Sequence, residues 1–226
     1  MVSGNIGLIT QSGAMGSCFV SSLWEKGVGI SKWIATGNES NLETYHFLKY
    51  LTNDTSTKVI AIYSEGIKTG NKFIEAALEA LKAGKPIIMY KTGRSEAAKE
   101  AVKSHTGAMA GTDEVYDVAF RKAGVLRVDE MIGLPFVASV FSKQPLPNGR
   151  KIVSLSMSGG AGSIIVDECS AQGLEMTKFS EDMEEKLREA APVAWSFKNP
   201  IDLGAPGLQR PDLWINTLRV LFEGDN

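Results

Sequence analysis

Cysteine and histidine are scarce in this chain of 226 residues, which contains two of each. Cys18 and Cys169 both fall within predicted helices, so we expect two buried thiols in a reducing compartment rather than a disulfide. We predict no metal site in the chain. With so few histidines, each can be examined separately as a candidate catalytic residue.

Long apolar runs and a strong net charge are also absent. No apolar run approaches the ~20 residues that a membrane span requires, and residues 1–4 lack the layout of a signal peptide. The formal net charge is -2, whereas a nucleic-acid surface needs a clustered excess of lysine and arginine. We therefore expect a cytoplasmic protein with neither nucleic acid nor membrane as a partner. A small anionic ligand stays possible, because a few backbone N–H groups can bind phosphate locally.

What the sequence does contain is an alternation of short apolar runs and stretches with helical spacing. Strands are predicted to begin near Ile6, Ile30, Lys58, Pro86 and Val125, with helices between them. Strands that alternate with helices of this length predict a parallel sheet with crossover helices. For residues 1–143 we therefore expect a doubly wound α/β domain.

After a proline-containing linker at residues 144–149, the same pattern begins again. Residues 6–17 read IGLITQSGAMGS and residues 152–163 read IVSLSMSGGAGS. Both copies are an apolar strand, a Ser-Gly pair, a second glycine and a helix. The second copy is followed by too few strands for a complete sheet, so we expect residues 149–226 to form an incomplete second domain.

A strand followed by a Ser-Gly pair and a helix points unpaired N–H groups at a common point, where the helix dipole favours an anion such as phosphate. Glycines such as Gly16 and Gly162 have no Cβ and would let the backbone approach a ligand. A single copy more often serves tight strand–helix packing, whereas the presence of two copies favours a shared anion site. The predicted phosphate-binding residues are Ser12, Gly13, Ala14, Gly159, Gly160 and Ala161.

His105 and Glu65 are the candidate catalytic residues. His105 lies in a segment of small residues, 103–111, which we expect to be a loop that leaves an imidazole approachable. Glu65 follows the apolar strand 58–63, at the end of the strand where parallel sheets bind ligands. A carboxylate there could fix the tautomer of a nearby histidine. From the residues alone, His105 could also be an ordinary loop residue and Glu65 a surface residue that opens a turn. His46 lies in an amphipathic helix and is expected to be half-buried or at the surface, without a chemical role.

Residues 104–111, SHTGAMAG, resemble the phosphohistidine loop of ADP-forming acetyl-CoA synthetases and related NDP-forming acyl-CoA synthetases, members of the succinyl-CoA synthetase superfamily. Asp113, Tyr116, Phe120 and residues 123–125 resemble the helix that follows this loop. Further blocks resemble the same family in the same order, at residues 11–16, 37–38, 63–67, 91–95 and 199–203. The resemblance covers essentially the whole chain.

The resemblance implies two flavodoxin-like domains and the reversible conversion of acyl-CoA, ADP and phosphate into a carboxylic acid, CoA and ATP. It implies that His105 takes a phosphoryl group from an acyl phosphate and passes it to a nucleoside diphosphate, with Glu65 orienting the imidazole. The two Ser-Gly helix starts would converge on the phosphohistidine. CoA, and ATP or ADP with Mg²⁺, would bind mostly on a CoA-binding domain and on an ATP-grasp domain or β subunit, neither of which is recognisable in this chain.

Two other interpretations are open to comparison. One is a regulatory module, such as the ligase-like part of a protein acetyltransferase, in which the fold persists without turnover. The presence of His105 favours the enzyme over this alternative. The other, a nicotinamide-binding Rossmann domain, is disfavoured because the G-x-G-x-x-G pattern is absent after Ile9.

Overall fold

The computed structural model describes residues 2–106 and 112–223, and of residues 103–106 it describes the backbone alone. The chain divides into two compact units, Met1–Leu146 and Pro147–Asn226. The division falls within the segment predicted as a linker. In the described residues, no helix combines the length and the apolar character needed to cross a membrane.

Unit 1 is a five-stranded parallel sheet with helices on both faces, and its strand order is β2-β1-β3-β4-β5. This is the flavodoxin-like order, and every strand predicted for this unit is present. The elements are β1 (Ser3–Thr10), α1 (Gly13–Glu25), β2 (Ile30–Ala35), α2 (Thr44–Asn53), β3 (Val59–Ser64), α3 (Gly70–Lys82), β4 (Ile87–Lys91), α4 (Glu96–Thr106), α5 (Asp113–Ala123), β5 (Val125–Val128) and α6 (Gly133–Lys143).

The central strand β3 is buried along its whole length. One apolar cluster covers the face of the sheet under α2, α3 and α5, and it contains Phe73 and Phe120. A second cluster covers the other face under α1 and α6, and it contains Phe19 and Leu134. Because both faces are covered, the strand reads as an unbroken apolar run. The carboxyl ends of β1, β3 and β4 meet at one edge of this rigid sheet.

Unit 2 repeats the beginning of this arrangement on a smaller scale. Its elements are β6 (Lys151–Ile152), β7 (Leu155–Ser156), α7 (Gly159–Ala171), β8 (Glu175–Met176), α8 (Glu181–Ala190), β9 (Ile201–Asp202), a 3₁₀ helix (Ala205–Leu208) and α9 (Pro211–Glu223). β6 pairs with β8 and β7 pairs with β9, both in parallel. The segments β6 and β7 together correspond to β1 of unit 1, β8 corresponds to β2, and β9 corresponds to β3.

The strand predicted to begin at Ile152 is broken in two, and the side chain of Asn199 explains the break. The Asn199 amide donates to the carbonyl of Ile152 at 2.7 Å and to that of Thr177 at 3.0 Å, and its oxygen accepts from Ser154 N at 2.9 Å. A side chain therefore satisfies backbone groups that a continuous ladder would otherwise pair.

The prediction of two buried cysteines is correct for Cys169 and wrong for Cys18, which is exposed. Helix α1 turns Phe19, Val20 and Leu23 towards the sheet. Cys18 lies outside this buried stripe, on the side of the helix that faces solvent.

Candidate functional site

The first Ser-Gly helix start is capped and open. Ser12 has extended backbone angles, and its hydroxyl accepts from the N–H of Met15 at 3.3 Å, as an N-cap residue does. Within the described part of the chain, no acceptor is found for the N–H groups of Gly13 and Ala14. A Cβ on Gly13 would meet no atom within 4 Å. These N–H groups therefore face free space at the positive end of the helix dipole, which suits an anion.

The structural role of Gly16 differs from the one predicted from the sequence. A Cβ at this position would lie 2.6 Å from Nε1 of Trp33. The absence of a side chain therefore lets the indole of β2 pack against α1. Gly162 is similar, since a Cβ there would lie 3.1 Å from Cβ of Pro200. The expectation that Gly16 leaves room for a ligand is therefore wrong, whereas Gly162 packs against Pro200 and also lines a cavity.

The second helix start has the same cap. The hydroxyl of Ser158 accepts from the N–H of Ala161 at 3.4 Å, and Gly159 and Gly160 are exposed. A cavity of about 430 Å³ opens beside it. Its lining residues are Ser156, Ser158, Gly159, Gly162, Ser163, Val166, Asp167, Ser196, Pro200 and Asp202.

A carboxylate already lies beside this second start. Oδ2 of Asp202 is 3.3 Å from the point where a Cβ on Gly159 would be, and Oδ1 accepts from Gly204 N at 2.8 Å. An arriving anion would meet this negative charge. The prediction that both helix starts face one cleft joins residues of different units, and it stays a prediction.

Glu65 lies in the turn that follows β3, at the carboxyl edge of the sheet. It is 7% exposed, so the alternative of a surface glutamate is wrong. Its backbone N–H donates to the side-chain oxygen of Gln11. A buried carboxylate at this edge can orient a histidine that approaches it.

Gln11 holds the turn that carries Glu65. Its oxygen accepts from Gly66 N at 3.1 Å and from the hydroxyl of Ser64 at 3.2 Å, and its amide donates to the carbonyl of Gly66 at 2.8 Å. Gln11 also directly precedes the cap residue Ser12. The open helix start and the Glu65 turn are thus fixed to each other through a single side chain.

Lys91 also lies at the carboxyl edge of the sheet, and the sequence-based predictions do not include it among the site residues. It ends β4, pairs in register with Ser64 and is 1% exposed. Its ammonium donates to the carbonyl of Thr92 and lies 4.6 Å from the ring centroid of Tyr116. Burial, followed by the nearby Arg127 guanidinium, lowers the pKa of Lys91 to about 8. Its position directly after an apolar strand, like that of Glu65, is the signal that could have identified it.

The backbone of His105 lies in the last turn of α4, Glu96–Thr106, rather than in the predicted loop. Its side chain, and residues 107–111, lie outside the described residues, so its approach to Glu65 stays a prediction. Ion pairs link the residues that flank α4 and residues 107–111. Asp113, the first residue of α5, pairs with Arg94 at 3.1 Å and with Arg127 at 2.6 Å, and Arg94 precedes α4.

His46 is half-buried, as predicted. Its Nδ1 accepts from the N–H of Glu43 at 3.1 Å, which closes a capping box at the start of α2. Its ring stacks on Tyr45 with centroids 3.9 Å apart. These contacts give His46 a structural role.

Known proteins with a similar sequence are CoA ligases. The family described as the succinyl-CoA ligase like flavodoxin domain matches residues 3–141. The alpha subunit of the ADP-forming acetate–CoA ligase II of Pyrococcus furiosus is 37% identical over 99% of this chain, which covers 48% of that protein. The ADP-forming 4-hydroxybutyrate–CoA ligase of Nitrosopumilus maritimus is 36% identical over 89% of this chain, which covers 29% of that protein.

A solved structure extends the likeness to both units. Acetyl-coenzyme A synthetase 1 of Ca. Korarchaeum cryptofilum, in complex with phosphate and ADP, matches with a TM-score of 0.85 and 29% identity. The match covers 100% of this chain and 55% of that chain. The chain thus spans about half, or less, of the length of the relatives that it matches. The chain therefore belongs to the family described as the succinyl-CoA ligase like flavodoxin domain, and it is similar in sequence to alpha subunits of ADP-forming acetate–CoA ligases.

Proposed function

We propose that this chain is the phosphoryl-carrying part of an ADP-forming acyl-CoA synthetase, and that His105 carries the phosphoryl group. The observation that carries the proposal is the fixed link between the open start of α1 and the Glu65 turn, which Gln11 makes. A phosphoryl group at the helix start and a carboxylate that orients the attacking imidazole are both needed for such a transfer. The names of the relatives, acid–CoA ligases that form ADP, support this reading.

In the proposed step, a neutral nitrogen of His105 attacks the phosphorus of an acyl phosphate. The bond between phosphorus and the acyl oxygen breaks, and the carboxylate leaves. Glu65 holds the N–H of the other ring nitrogen, so that the attacking nitrogen keeps its lone pair. The N–H groups of Gly13 and Ala14 balance the charge of the transferring group. In the second half of the cycle, the phosphohistidine gives its phosphoryl group to ADP.

The other components of the reaction belong to the remainder of the ligase. CoA and magnesium-bound ADP or ATP are expected on a CoA-binding domain and on an ATP-grasp domain or β subunit, fused to this chain or separate. The substrate is a small carboxylic acid. The second helix start, Ser158–Gly159–Gly160–Ala161, is proposed to approach the same phosphohistidine from unit 2.

The test is a labelling experiment on the complete ligase. With ATP and Mg²⁺, the wild-type protein should form an acid-labile, base-stable phosphoprotein with the label on His105. His105→Ala should abolish both labelling and acyl-CoA formation, because an unactivated hydroxyl such as that of Ser104 is a far weaker nucleophile. His46→Ala removes the other histidine of the chain and is the matched control, which should label normally.

A second variant tests the carboxylate. Glu65→Gln should keep the fold and slow labelling by a large factor, since the imidazole loses the group that orients it. If the His105→Ala protein still becomes labelled, the proposal is wrong. If the wild-type ligase never labels while it still binds acyl-CoA, the regulatory module is the better interpretation.

A further inference from the structure

Lys91 is a charged residue buried where an apolar side chain would be more stable. Its ammonium donates to the carbonyl of Thr92 and lies over the ring of Tyr116. Among the described residues, no carboxylate forms an ion pair with it. Burial of a charge without an ion pair is unfavourable for folding.

The contacts of Lys91 lead to Glu65. The Tyr116 ring beneath the ammonium carries a hydroxyl that accepts from the N–H of Ile67 at 3.4 Å. Ile67 is two residues after Glu65, on the same turn that Gln11 holds. In register, Lys91 pairs with Ser64, the residue before Glu65. The ammonium and the tyrosine are therefore both linked to the Glu65 turn.

We propose that Lys91 is a positioning residue for phosphoryl transfer: its ammonium fixes the Glu65 turn through Tyr116 and keeps a positive charge at the edge where the phosphoryl group arrives. This inference rests on the proposed function of the chain.

The groups around Lys91 make the effect dependent on pH. Burial, Arg127 of β5 and Lys99 of α4 lower its pKa, whereas Asp113 of α5 and Glu65 raise it, and the pKa is about 8. Below this pH the ammonium is present, and above it the charge is lost. The rate of phosphohistidine formation should therefore fall as the pH rises through about 8 in the wild-type ligase.

The experiment measures the step in which His105 is labelled from the acyl phosphate. In the complete ligase, it compares labelling rates from radioactive phosphate and an acyl-CoA that the ligase turns over, from pH 6.5 to 9.5. Lys91→Met has a similar length and no charge, and it should label on the order of tenfold more slowly at pH 7, without the decline near pH 8. In a Glu65→Gln background, Lys91→Met should add little further loss, because both changes act on the same turn. Circular dichroism and thermal unfolding establish that each variant is folded.

Lys85→Met is the matched control. Lys85 also has a pKa lowered by burial, but its ammonium donates to the carbonyls of Leu51 and Asp54, at the opposite end of the sheet. This variant should keep the wild-type rate and pH profile. If folded Lys91→Met labels at the wild-type rate, or keeps the decline near pH 8, the role of Lys91 is refuted while the function of His105 stands. Absence of label on His105 in the wild type given ATP and Mg²⁺ would instead refute the proposed function.

Discussion

Replacing Lys91 with methionine should stabilise the folded chain, even where it impairs the reaction. The pKa of Lys91 is lowered from 10.5 to about 8, chiefly because the ammonium is buried. A tenfold change in an acid dissociation constant corresponds to about 1.4 kcal/mol, so the charged form destabilises the fold by about 3 kcal/mol relative to the neutral form. Methionine fills a similar volume and requires no hydration. At pH 7 the variant should therefore unfold at a markedly higher denaturant concentration than the wild type.

The sign of the pH dependence follows from the lowered pKa of Lys91. The folded chain releases the Lys91 proton near pH 8, whereas the unfolded chain keeps it to about 10.5. Between these values the unfolded state binds more protons, so the free energy of unfolding of the wild type rises with pH. The difference in free energy of unfolding between Lys91→Met and the wild type should therefore shrink by about 2 kcal/mol between pH 7 and pH 9.5. Tyr63, whose pKa burial raises to about 12, affects both proteins alike.

Urea denaturation of the chain at these two pH values measures the difference. Trp195 and Trp214 of unit 2 are replaced by phenylalanine, so that the fluorescence of Trp24 and Trp33 reports on unit 1. Lys49→Met is the control, because Lys49 pairs with Glu79 at the surface and its loss should change stability by less than about 1 kcal/mol. A stability difference between Lys91→Met and wild type that is the same at both pH values would refute the reasoning.

Three further predictions separate the roles of neighbouring residues. Gly13→Ala should leave stability nearly unchanged, because its Cβ meets open space, yet it should slow labelling of the complete ligase by obstructing the anion. Gly16→Ala should lower the free energy of unfolding by about 1–3 kcal/mol in denaturation, because its Cβ meets Trp33. Gln11→Leu should lower stability by about 1–3 kcal/mol and slow labelling, since it leaves buried backbone groups of the Glu65 turn without their partner; unchanged labelling would separate the turn from the reaction. His46→Ala should cost about 1 kcal/mol through the lost capping box, measured by thermal unfolding, with labelling unaffected.

The regular part of unit 1 could be predicted from the sequence because its physical signals are strong. Apolar runs such as β3 are unbroken where both faces are covered, and serine caps mark the starts of α1 and α7. Helix ends are harder to predict. The small residues around His105 predict a loop, but residues 96–103 favour a helix, and α4 continues to Thr106.

The contacts at the site were harder to predict because they depend on residues distant in the sequence. Gly13 and Gly16 look alike in the sequence, and only the position of Trp33 on β2 distinguishes an open glycine from a packed one. Lys91 at the end of a strand would ordinarily extend its ammonium into water. Its burial depends on Tyr116, on a helix that follows the His105 segment. The break between β6 and β7 depends in the same way on Asn199.

The helix starts of α1 and α7 each have a serine N-cap, but the residues around the two caps differ. In unit 1, Gln11 precedes the cap and holds the Glu65 turn, and a Cβ on Gly13 would meet open space. In unit 2, the position of Gln11 is taken by Met157, which has no amide to hold a turn, and the carboxylate of Asp202 lies beside Gly159. A helix dipole with a carboxylate at its start attracts a phosphoryl group less strongly than one without. We therefore expect the helix start of unit 1 to bind a phosphate group more tightly than the helix start of unit 2 does.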